Sequence, residues 1–168
     1  MSADAARARV LFVCLGNICR SPTAHGVFQH LVDASGLREH IAIDSAGTGD
    51  WHIGRAPDER TAAAALTRGY DLSALRARQV SRDDFARFDF ILAMDLQNLR
   101  DLQQLRPPHF NGELSLFLNY GQSALREVPD PYYGGTEGFE QVLNLVEDAA
   151  HGLLQALVAR HNLPQIRH

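Results

Sequence analysis

With 168 residues, 45% of them hydrophobic, the chain can bury one core and is too evenly composed for extended disorder. Its formal net charge of -4 argues against a nucleic-acid footprint, and any bound anion must be held by local donors. Two cysteines are too few for a disulfide scaffold and point to a reducing, cytoplasmic setting.

Met1 to Arg9 lacks the apolar core of a signal peptide, so a cytoplasmic protein is expected, with export by another route as the alternative. No apolar run is long enough to span a bilayer, so no membrane partner is expected. One domain over residues 1–168 is read, with 1–8 as a flexible arm. Arg9 to Val13, "RVLFV", reads as a buried parallel strand. Ser21-Pro22 then starts a helix, which runs to about Ala34 with Val27, Phe28, Leu31 and Val32 inward.

A second strand covers Ile41 to Gly47. Strong helix formers follow over Asp58 to Tyr70, a third strand over Phe88 to Met94, and a leucine-periodic helix over Asp95 to Leu105. Glu113 to Tyr120 contains a fourth strand. A long last helix spans roughly Gly138 to His161. Four alternations of strand and helix predict an α/β three-layer sandwich whose mainly parallel sheet is flanked by helices. Ligands of such folds sit beyond the carboxyl ends of the strands, where Cys14 falls.

The stretch "VLFVCLGNICRSP" joins that strand to that helix. Five residues separate Cys14 from Arg20, and Ser21 follows. Wrapped into a cradle, Leu15, Gly16, Asn17, Ile18 and Cys19 would turn their N–H groups toward one anion, with the helix N-terminus behind it. Gly16 tolerates positive φ, and Asn17 tolerates the left-handed region and can brace the loop. Arg20 offers a bidentate fork for a phosphate-like dianion. The same field favours an ionised sulfur at Cys14, with Ser21 donating to it, and so a nucleophile at the cradle floor. No lysine or second glycine completes a nucleotide-binding loop after Gly16.

Transfer of a phosphoryl group from an ester to sulfur also needs an acid for the leaving oxygen. Asp130, stiffened between two prolines in "VPDPYYGG", is the candidate acid and later base. Tyr132, Tyr133 and Trp51 are candidate walls of a cleft for an aromatic ring. A lone Asp-Pro is a common turn and these rings also suit ordinary packing, so both readings lean on the cradle. The eight histidines show no metal-site spacing, and neither metal nor other cofactor is expected.

"VCLGNICRSP", "DSAGTGDWHIG", "RARQ" (Arg76 to Gln79), "MD" (Met94-Asp95) and "DPYYGG" together resemble the low-molecular-weight protein tyrosine phosphatases, from Val10 to about Leu157. The resemblance implies a four-stranded parallel sheet and no metal. Cys14 is then the nucleophile, Arg20 the transition-state clamp and Asp130 the general acid/base. Asn17, Ser21 and Ser45 match the family's hydrogen-bond network around the loop, Asp95 a buried acidic position, and Trp51, Tyr132 and Tyr133 the substrate rim. The partner implied is a phosphotyrosine protein, a bacterial tyrosine kinase among the family's bacterial examples; the alanine- and arginine-rich composition fits a bacterial origin. A monomer is expected, with a weak dimer as the alternative.

Two positions depart from the family pattern. Leu75 stands where a histidine often braces the loop asparagine, and His25 replaces a common glutamate; His25 is expected to face solvent. The resemblance also suggests that Cys19 forms a reversible disulfide with an oxidised Cys14. Three rivals stay open. Arsenate reduction needs further cysteines downstream, and none follows Cys19. Protein-arginine phosphatases that resemble this loop carry threonine where Ile18 stands. A non-catalytic phosphotyrosine-binding module would tend to lack Cys14 or Asp130.

Overall fold

The computed structural model describes residues 6–132 and 134–164. Strands β1 (Ala8–Cys14), β2 (Ile41–Gly47), β3 (Phe90–Ala93) and β4 (Glu113–Leu116) form a sheet in the order β2-β1-β3-β4, each neighbouring pair parallel. The helices are α1 (Arg20–Ala34), α2 (Glu59–Thr67), α3 (Asp84–Arg87), α4 (Leu96–Leu105) and α5 (Thr136–His161). The expected three-layer α/β sandwich is the observed fold. Among the described residues no helix is long and apolar enough to cross a membrane.

β1 is central and apolar on both faces, as an inner parallel strand must be. Val10, Phe12 and Cys14 face the layer of α1, α2 and α5; Leu11 and Val13 face α3 and α4. Phe12 meets Phe28 of α1 and Phe117 edge-on, at centroid distances of 5.8 and 5.0 Å. The inward residues expected of α1 are buried except Leu31, which is half-buried.

Several boundaries differ from the sequence reading. β1 begins at Ala8, and the N–H groups of Arg7 and Ala8 both donate to the His40 carbonyl, so these two residues are tied to the sheet. Asp58 and Asp95 are N-caps rather than first helical residues, their carboxylates accepting N–H groups of the first turns of α2 and α4. The fourth strand expected within 113–120 is β4, which stops at Leu116, because a 3-10 turn over Phe117–Tyr120 tucks Phe117 under Phe12. The short α3 is an unforeseen helix; four residues show no period, and it is organised by Asp84, whose carboxylate accepts the Ser81 N–H and the Arg78 guanidinium.

Candidate active site

β1 delivers Cys14 to the carboxyl end of the sheet, and α1 starts six residues later at Arg20. The connection folds back on itself. The Cys14 sulfur accepts the Asn17 N–H at 3.3 Å and lies 3.0 Å from the Ser21 hydroxyl. Asn17 takes the left-handed conformation, φ 57°, that closes the loop. Positive φ thus falls on Asn17 and not on Gly16. At Gly16 a Cβ would stand 2.9 Å from the His52 ring, so the loop and that ring pack closely. Gly47 of β2 passes so close behind the loop that a Cβ would lie 2.7 Å from the Leu15 carbonyl oxygen.

One chain of hydrogen bonds orients the sulfur's partners. The Arg78 N–H donates to Asn17 Oδ1 at 3.0 Å, which leaves Asn17 Nδ2 to donate to Ser21 Oγ at 2.8 Å. Nδ2 can only donate, so it occupies a lone pair of Ser21 and leaves the hydroxyl hydrogen for the sulfur. The alternative acceptor, the Ala46 carbonyl, is farther away at 3.4 Å. Asn17 and Ser21 are buried. Arg78 is itself clamped, with Nε on Asp44 at 3.1 Å and its two Nη atoms on the buried Asp84 carboxylate. Its backbone N–H takes the position that the resemblance assigns to a histidine, while Leu75 packs half-buried against the core.

Arg20 is 3% exposed. Its Nη1 donates to Asp95 Oδ2 at 2.7 Å and to the Val128 carbonyl at 3.1 Å, and Nη2 lies 3.7 Å from Asp130 Oδ2. Burial opposes the charge, but Cys14 and the Asp95 carboxylate outweigh it and hold the guanidinium more firmly protonated than usual. Asp95 is half-buried rather than buried, and does two tasks: Oδ2 anchors Arg20 while Oδ1 caps α4 through the Asn98 N–H at 2.7 Å. Asp130 stays partly exposed, its Oδ1 accepting the Tyr132 N–H at 3.1 Å.

A cavity of about 340 Å³ joins these groups. Cys14, Leu15, Gly16, Ile18, Cys19, Arg20, Trp51, His52, Asp130 and Tyr132 line it. Trp51 and Tyr132 stand at its mouth, 65% and 37% exposed. Tyr133 lies outside the described residues. Cys19 is buried, and burial, reinforced by Asp58 and Cys14 against the Thr61 hydroxyl, pushes its thiol up to about 12.

Two expectations need correction. Ser45 does not brace the loop: its hydroxyl meets His25 Nδ1 at 3.1 Å, and its N–H donates to Asp44. His25 accordingly does not face solvent but is half-buried between α1 and β2, where burial lowers its basicity against the opposing pull of Asp44. The sequence reading also missed His52, which lines the cavity, and the Val128 carbonyl, which accepts from Arg20. Only His52 carried a signal, its place beside Trp51.

The family model for low molecular weight phosphotyrosine protein phosphatase matches residues 9–163. The chain belongs to this family. A low molecular weight protein-tyrosine-phosphatase of Streptomyces coelicolor is 44% identical over 153 residues, 89% of this chain and 93% of that protein. A protein tyrosine phosphatase from Entamoeba histolytica, solved with Hepes in its active site, superposes with a TM-score of 0.87 at 37% identity, over 93% of this chain and 99% of that one. A Drosophila arginine phosphatase superposes with a TM-score of 0.83 at 32% identity, over 88% and 96%. The phosphatases of this family are phosphoric monoester hydrolases that act on phosphotyrosine proteins.

Proposed function

We propose that this phosphatase cleaves protein phosphotyrosine through a phosphocysteine formed on Cys14. The reading rests on the convergence of the Asn17 N–H and the Ser21 hydroxyl on the Cys14 sulfur, in a cavity shared with Arg20 and Asp130. Among the described residues no backbone carbonyl accepts from the N–H groups of Gly16, Ile18 or Cys19, so a phosphate would provide their partner. Arg20, pinned through Nη1, keeps Nε and Nη2 donors for phosphoryl oxygens.

The sulfur attacks phosphorus in line while the Asp130 carboxylic acid passes its proton to the departing phenolic oxygen. The P–O bond breaks as the S–P bond forms. Water then attacks phosphorus, Asp130 takes the water proton, and inorganic phosphate leaves with the thiolate restored. Trp51 and Tyr132 at the mouth suit a flat aryl phosphate. A phosphorylated bacterial tyrosine kinase is the partner that the family resemblance favours.

4-Nitrophenyl phosphate at mildly acidic pH tests the mechanism. Cys14→Ser should abolish turnover, and Asp130→Ala should slow it by about 10²–10⁴-fold while leaving vanadate affinity intact. Wild-type turnover by Cys14→Ser would overturn the mechanism. The likeness to the Drosophila arginine phosphatase supports a second reading, phosphoarginine. Competition between phosphotyrosine and phosphoarginine peptides decides: the rim aromatics and Ile18 favour phosphotyrosine.

A further inference from the structure

Asp130 sits on an irregular segment, and something must hold that segment to the cradle. We propose that Arg60, in the first turn of α2, is a positioning residue that sets the place of the Asp130 carboxyl; the inference rests on the acid/base reading of Asp130. Three contacts carry it. Arg60 Nη2 donates to the Tyr132 carbonyl at 2.9 Å. Its guanidinium lies over the Tyr132 ring, 5.4 Å from the centroid, and over the buried Phe139 ring of α5, 5.0 Å from the centroid. The Tyr132 N–H in turn donates to Asp130 Oδ1 at 3.1 Å. One guanidinium thus ties the acid's own hydrogen-bond donor to two helices.

Arg60 is not there for its helix. A cation in a first turn opposes the helix dipole, and the Asp58 carboxylate, which caps α2, compensates by pairing with Nε and Nη2 at 3.3 and 3.2 Å. Asp58 also fixes the direction of the guanidinium, and its own N–H donates to the Ile18 carbonyl of the cradle at 2.9 Å. The path Ile18–Asp58–Arg60–Tyr132–Asp130 therefore connects the anion cradle to the acid without crossing the cavity. A planar fork that donates and stacks at once is a task for arginine that lysine performs poorly.

If Arg60 places the acid, its loss hurts esters with poor leaving groups, which need the proton, more than those with good ones. The experiment compares kcat/KM for phenyl phosphate and 4-nitrophenyl phosphate in wild type, Arg60→Ala, Arg60→Lys, Asp130→Ala and the Arg60→Ala/Asp130→Ala double variant. Arg60→Ala should lose about 10-fold or more on phenyl phosphate and under about 3-fold on 4-nitrophenyl phosphate, with vanadate inhibition unchanged. Arg60→Lys should fall between, and the double variant should be no worse than Asp130→Ala alone. Equal losses on both esters, no loss on either, or additive losses in the double variant would overturn the role of Arg60. Absence of a leaving-group-dependent loss in Asp130→Ala would instead remove the acid reading itself, and this inference with it. Arg60 is exposed, so the variants are expected to fold, and an unchanged thermal midpoint separates positioning from general destabilisation.

Discussion

Cys14 and Cys19 share one loop and are both buried, but their partners differ. The Cys14 sulfur receives two hydrogen bonds, whereas burial pushes the Cys19 thiol up to about 12. Iodoacetamide at neutral pH should therefore label Cys14 and spare Cys19, which a peptide mass map shows directly. The same burial governs the disulfide suggested by the family resemblance. Closure onto an oxidised Cys14 requires the Cys19 thiolate, a minor species until far above neutral pH. After a peroxide pulse the rate of crosslinking should rise about tenfold per pH unit from pH 6 to 8. A flat profile would show that Cys19 is not the attacking group. The residue scale is also where the structure chose between two candidates: of Gly16 and Asn17, both able to take positive φ, Asn17 makes the left-handed turn, where the loop bends back toward the sulfur.

Between elements, the α1–β2 seam carries the His25–Ser45 contact in place of a solvent-facing histidine. Burial lowers the His25 pKa from 6.5 in the folded chain, so the unfolded chain takes up that proton first as the solution is acidified. Its contribution to stability is complete above about 6.5 and is lost as pH falls toward the lower folded-state value. His25→Gln keeps a donor for Ser45 and removes the titration. The gap in thermal midpoint between wild type and His25→Gln should move against wild type from pH 7 to 5; a constant gap would contradict it. Ser45 could not have been separated from its family role by sequence, since the face it presents depends on what α1 places opposite it. The guanidinium of Arg78 makes the same point: it links Asp44 of β2 to Asp84 of α3, two carboxylates that no local pattern pairs.

Across the whole molecule, the site depends on a sheet whose central strand is packed on both faces. Phe12 is fully buried among Phe28 and Phe117 on the α1/α5 side, directly under the turn that carries Cys14. Phe12→Ala should cost about 3–5 kcal/mol by lost burial and cavity formation. Urea denaturation should show this as a lower midpoint with little change in slope, and a loss below 1 kcal/mol would mean that the core collapses around the gap. The layer order, the central strand and the gathering of Cys14, Arg20 and Asp130 at the carboxyl end of the sheet were legible in the chain itself. The continuous apolar run of β1 marks a strand buried on both faces, and Cys14 through Ser21 are close in sequence, so a single tight turn brings them together. Only the tertiary structure decided what holds that turn and the Asp130 segment: the Arg78 N–H on Asn17, Asp95 on Arg20, and Arg60 on the Tyr132 carbonyl each join residues more than sixty positions apart. Such contacts follow from how helices stack on the twisted sheet, a long-range outcome that neither local propensity nor periodicity encodes.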